Sequence, residues 1–75
     1  MAANQAKYWR QVDSLLSTTY QKNYDQAVTI LRSLREVATT IDDDLESWEE
    51  RVRLLRAKHA RKSSLMERFD GEKFP

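Results

Sequence analysis

The sequence predicts an all-α chain. The expected form is a three-helix bundle, or a helical hairpin plus one long charged third helix; a short fourth helix is the alternative ending. Three observations lead there. Apolar residues recur at gaps of three and four, the spacing that lines one face of an α-helix. The one glycine, Gly71, and the one proline, Pro75, stand at the C-terminal end, so nothing before Asp70 strongly breaks a helix. Charged residues make up 33% of the chain in mixed order, with a net charge of +1, as solvated helix faces require.

Seventy-five residues make one domain. A chain of this size buries only about 60% of its unfolded surface. The absence of cysteine excludes a disulfide or a thiolate metal site and fits a reducing compartment. No apolar run approaches the roughly 18 residues of a membrane span. The opening MAANQAKYWR has no apolar signal-peptide core. The expectation is a cytoplasmic protein without a membrane segment.

Residues 1–4 are expected to fray, with Asn4 capping a first helix over about 5–20. Trp9, Val12, Leu16 and Tyr20 form its stripe, widened by Tyr8 and Leu15. Thr18 and Thr19 weaken its end. A second helix is expected over 24–39. Asn23 with Gln26 three residues later has the form of a capping box. Tyr24, Ala27, Leu31, Leu34, Ala38 and Ile41 make the stripe, and Val28, Ile30 and Val37 broaden it. A helix apolar over that much of its circumference is the central one.

Asp42 or Asp43 is the expected N-cap of the third helix. Leu45, Trp48, Val52 and Leu55 mark its buried face, continued by Met66 and Phe69, with His59 and Lys62 in the seam between. It ends near residue 62 or runs over 43–69. The longer version measures roughly 40 Å and overhangs the other two. The shorter one leaves Ser64 and Glu67 to cap a fourth helix from Leu65 to Phe69. Gly71 then serves as the left-handed residue closing the helix, and residues 71–75 are expected to be loose. Trp9, Trp48, Leu55 and Met66 are the expected core.

Six acids and no base lie between Asp42 and Glu50; seven bases and one acid, Glu67, lie from Arg51 to Arg68. This order complements the helix macrodipole, and Glu49–Arg53 and Glu50–Arg53 add local pairs. It also permits a nucleic-acid arm. However, on a helical wheel these bases fill the whole polar arc, where a phosphate-tracking helix gathers them on one face. Leu54 and Leu65, eleven residues apart, share that basic face. They are either scattered surface leucines or the centre of a contact surface.

Chemistry is sparsely encoded. His59 is the only histidine and reads as a packed seam residue rather than a ligand. The aspartates 42–44 lack the spaced oxygens and central glycine of a calcium loop and read as a cap. Glu46 and Glu49 form half of a helical magnesium site with no second carboxylate pair evident. No nucleophile–base pair and no phosphate-cradling glycine loop is present. The chain is therefore expected not to be an enzyme and to need no cofactor or metal.

Lys22-Asn23-Tyr24-Asp25-Gln26-Ala27, followed by Leu31 and Leu34, resembles the turn and second helix of a tetratricopeptide pair. The resemblance implies that Ala27 is the small residue at which helices approach. Val12, Leu15 and Leu16 fit the first helix only with a turn one residue longer. The Lys-Asn-Tyr-x-x-Ala phrase also resembles microtubule-interacting-and-transport domains. The segment from Trp48 through Leu65 and Met66 resembles the C-terminal helical tail of bacterial proteins with SWIM zinc fingers, although the finger's cysteines are absent. These resemblances imply protein binding.

The expected function is a small helical protein–protein interaction or assembly module, binding a protein partner or itself, with a dimer favoured. Leu54, Arg61, Leu65, Arg68 and Phe69 are the expected contact residues, and Leu65→Arg is expected to weaken association at near-native helicity. The alternative is a small nucleic-acid-binding regulator using residues 51–68.

Overall fold

In the computed structural model, which describes residues 2–75 and side chains from residue 5 onward, four helices follow one another: α1 (Ala2–Leu16), α2 (Gln21–Thr40), α3 (Leu45–Lys58) and α4 (Ser63–Gly71). The all-α expectation holds, in its four-helix form. The broad stripe of α2 explains the arrangement. Tyr24, Ala27, Val28, Leu31, Leu34 and Ala38 are all buried, and α1, α3 and α4 each pack against this helix.

The helix ends differ from the sequence reading because polar side chains at the turns are taken up by hydrogen bonds that periodicity does not show, most of them local and one, Gln5 to Asp42, across the fold. Met1 lies outside the described residues; α1 already runs from Ala2, so Asn4 is inside it rather than capping it. It stops at Leu16, four residues early. There Ser17 Oγ donates to the Asp13 carbonyl and Thr18 Oγ1 to that of Leu15, each at 2.8 Å. Tyr20, expected in the stripe, is 70% exposed. It stands at the N-cap of α2 without a capping side chain. Asn23 lies inside α2 and donates to Thr18 Oγ1 at 2.9 Å, which removes it from the expected capping box.

At the next turn each aspartate has a separate task. Asp42 accepts from Gln5 Nε2. Asp43 takes a left-handed φ of 50°, a conformation that aspartate tolerates better than most residues. Asp44, one residue beyond the expected caps, accepts from Ser47 N at 3.4 Å and Ser47 Oγ at 2.8 Å.

The long helix is broken. α3 ends at Lys58, the chain turns through His59–Lys62, and α4 starts at Ser63 with Lys62 as N-cap. Ser64 is therefore inside α4, not its capping box. The break has a packing cause. A continuous helix of roughly 40 Å exceeds the molecule's longest dimension, 31 Å, and leaves its apolar end without a core. Turning back buries Leu65 and Phe69 completely, each worth about 1.5–3 kcal/mol.

The C-terminus is tied down. Phe74 N donates to the Phe69 carbonyl at 2.9 Å and Lys73 N to that of Asp70 at 3.1 Å. This is the Schellman pairing, with Lys73 at φ 58° in the left-handed position. Gly71, expected there, is the last helical residue. The expected loose end instead buries Phe74, edge-on to Trp48 at 5.4 Å and to Phe69 at 5.3 Å. Trp48 and Leu55 are core residues as expected; Trp9 and Met66 pack against the core half-buried.

Candidate interaction surface

Most of the basic run holds the helices together. Lys62 Nζ donates to the Thr18 carbonyl at 2.9 Å and also to that of Leu16, complementing the C-terminus of α1. Arg56 pairs with Asp70 at 2.5 Å, and Arg68 with Asp25 at 2.6 Å. Arg68 also donates to Gln21 and to the Ser64 carbonyl. Lys58 pairs with Asp13 at 2.8 Å. Among the described residues, Arg51, Arg53 and Arg61 of this run form no ion pair.

The five expected contact residues therefore separate. Leu65 and Phe69 are wholly buried and cannot form a surface. Arg68 is engaged within the fold. Arg61 is exposed in the α3–α4 turn. Leu54 is 65% exposed on α3, and a site builds around it.

Two ladders meet there. On α1, Ala6, Trp9, Arg10 and Asp13 follow helical spacing along one side. On α3, Arg51, Leu54, Leu55 and Lys58 do the same. Together they line an open groove of about 670 Å³. Its wall and rim are specific: the Arg51 guanidinium lies 5.2 Å from the centre of the Trp9 ring, and Arg10, Arg51 and Lys58 outnumber the single carboxylate, Asp13.

The Asp13 carboxylate accepts from Lys58 Nζ at 2.8 Å. Its hydrogen bond from Lys58 holds the Asp13 pKa below the usual carboxylate value, against the effect of partial burial. Beneath it, the buried His59 Nε2 lies 3.8 Å from Asp13 Oδ1 and makes no hydrogen bond. Burial lowers the His59 pKa, Lys62 and Lys58 push the same way, and Asp13 opposes. The net environment favours a neutral imidazole.

A second groove, of about 330 Å³, runs between α1 and α2 and is lined by Tyr8, Thr29, Ile30, Ser33, Leu34 and Val37, without a charge. No described helix is long and apolar enough to cross a membrane.

The sequence pointed to Leu54 but not to Ala6, Trp9 or Arg10. Trp9 reads as core from its stripe, and the stripe does not say that its outer edge faces α3. The available signal was the matching three-and-four spacing on the two helices. Compared with known proteins, the chain matches no family model, no curated protein and no solved structure.

Proposed function

We propose that this chain is a small helical protein-interaction module, acting by binding rather than catalysis, whose α1–α3 groove takes an acidic amphipathic segment of a protein. The observation that carries the reading is Leu54. It is a large apolar side chain, 65% exposed, beside Trp9 and between Arg10, Arg51 and Lys58. An apolar anchor with a charged rim is how an amphipathic helix is held in a groove, and the cations select an acidic one. The wholly buried Ala27 suits the tetratricopeptide-like resemblance of the first two helices. A cysteine-free chain suits the cytoplasm.

The nucleic-acid reading has less behind it. Arg56, Lys62 and Arg68 are engaged inside the fold, which takes these three bases of the run away from a phosphate backbone.

The test is a fluorescence titration with a synthetic, tryptophan-free helical peptide bearing a leucine stripe and an Asp/Glu face. Saturable change in tryptophan emission is expected. Leu54→Asp and Arg51→Glu should each weaken it about tenfold or more. No saturable binding up to about 1 mM would reject the reading.

A further inference from the structure

One carboxylate oxygen at the groove stands between two side chains of unlike burial. Asp13 Oδ1 accepts from Lys58 Nζ at 2.8 Å, and His59 Nε2 lies 3.8 Å from the same atom. The lysine side chain is 58% exposed and the histidine 6%. Nε2 has no hydrogen-bond partner, and 3.8 Å is beyond the reach of one. Asp13 and Lys58 line the groove. His59 lies beneath them as the C-cap of α3, the end of a helix that favours a positive charge.

Resting on the reading that this groove takes an acidic segment, we infer that His59 is a proton switch beneath it: an imidazolium at residue 59 takes over the Asp13 carboxylate and releases Lys58 to the segment. The proton comes from the solvent, and both ring nitrogens are then donors. Burial decides the competition for the shared oxygen. A buried charge is costly unless it is paired, and Asp13 is the acid that faces the ring. Lys58 gains little from an exposed pair and exchanges it for water, swinging on a flexible four-carbon stem. Burial opposes the proton on His59; Lys62 from the turn and Lys58 from α3 oppose it too, and Asp13 from α1 favours it. Lys62 is held on the Thr18 carbonyl, so Lys58 is the lysine whose departure relieves the ring. An acidic segment in the groove draws Lys58 the same way, toward its own carboxylates. Proton uptake and segment binding therefore favour each other, by an equal factor in both directions.

The test is fluorescence titration of the full chain at about pH 7.5 and about pH 5.5, either side of an ordinary histidine, with circular dichroism confirming the fold at both. The probe is the tryptophan-free leucine-striped peptide with cysteic acid in place of Asp and Glu, so that its own charges stay constant. The wild type should bind about threefold more tightly at the lower pH, the worth of one exposed ion pair. His59→Gln, neutral at both pH values, should bind equally at both. Asp13→Asn frees Lys58 without a proton; at the higher pH it should already bind about threefold more tightly than the wild type, with little further rise on acidification. Each variant serves should the other fail to fold. In the wild type, the His59 ring protons followed by NMR should titrate at a higher pH with the peptide bound than without it. A rise in affinity kept by His59→Gln overturns the inference, as does a His59 titration indifferent to the peptide; either leaves the groove reading standing. Absence of binding at both pH values rejects the groove reading and the inference with it.

Discussion

The Lys62 ammonium donates to the backbone carbonyl of Thr18 at 2.9 Å, joining residues 44 positions apart. Thr18 is a hub. Its carbonyl also accepts from the Tyr24 hydroxyl at 3.1 Å, and its hydroxyl accepts from Asn23 and donates to Leu15. One lysine thereby fixes the α3–α4 turn to the α1–α2 turn. The Lys62 ammonium also lies 5.7 Å from the centre of the Tyr24 ring. Lys62→Met keeps the stem and removes the donors. It is expected to lower stability by about 1.5–3 kcal/mol, the range for hydrogen bonds to charged groups, as read from urea unfolding. An unchanged urea midpoint would mean that the lysine is merely solvated.

Leu54 and Leu65 should behave oppositely. Leu65→Arg buries a charge at a wholly buried position, and the penalty of several kcal/mol rivals the total stability of about 5–15 kcal/mol typical of a domain. It should unfold the chain, contrary to the near-native helicity expected from the sequence. Leu54→Asp should stay within about 0.5 kcal/mol of wild type, as for an exposed site. Circular dichroism melts of the two variants decide. Equal melts would contradict the burial difference.

That contrast shows where the sequence could be read and where it could not. The stripe of α2 and the Trp48–Val52–Leu55 face of α3 are plain from spacing, because burial imposes helical periodicity. Leu54 was also legible, as an apolar residue on a polar arc. Leu65 was misplaced because eleven residues bring two side chains to one face only if the helix is continuous. The turn at His59–Lys62 rotates α4 and sends Leu65 and Phe69 inward. No glycine or proline marks that turn; it follows from fitting the chain around α2, a tertiary cause. The caps failed for a similar reason. Asn23 and Asp42 both carry capping side chains, but Thr18 of the preceding turn engages the first and Gln5, across the fold, the second.

His59 makes stability depend on pH. Burial lowers its pKa in the folded chain, whereas the unfolded chain protonates near the ordinary value of about 6.5. Its contribution is whole above about pH 6.5 and is lost as pH falls toward the lowered folded value, because the unfolded state then binds the additional proton. Asp13, lowered by Lys58, adds a loss of the same sign below the ordinary carboxylate range. The urea midpoint should therefore fall between about pH 7 and pH 5, and His59→Leu should flatten that interval. An equally steep fall in the variant would assign the effect elsewhere.

Lys73 holds a left-handed backbone at φ 58°. Lys73→Gly should stabilise the chain by roughly 1 kcal/mol, since glycine adopts that region without a side-chain clash. Phe74→Ala should cost about 3–5 kcal/mol by removing a buried ring packed on Trp48 and Phe69. Thermal melts of both variants test whether the last residues belong to the core. A Phe74→Ala melt equal to wild type would mean that they do not.

The most direct test of the proposed binding surface uses the two indole N–H signals of Trp9 and Trp48 in a proton–nitrogen correlation spectrum, followed during titration with the acidic peptide. Trp9 lines the groove under Arg51. Trp48 is buried and donates to the Leu31 carbonyl at 3.1 Å. The account predicts that the Trp9 signal shifts with the amides of Arg10, Arg51 and Leu54 while the Trp48 signal stays in place. A shift confined to Tyr8, Ile30 and Val37, or no shift at saturating peptide, would contradict it.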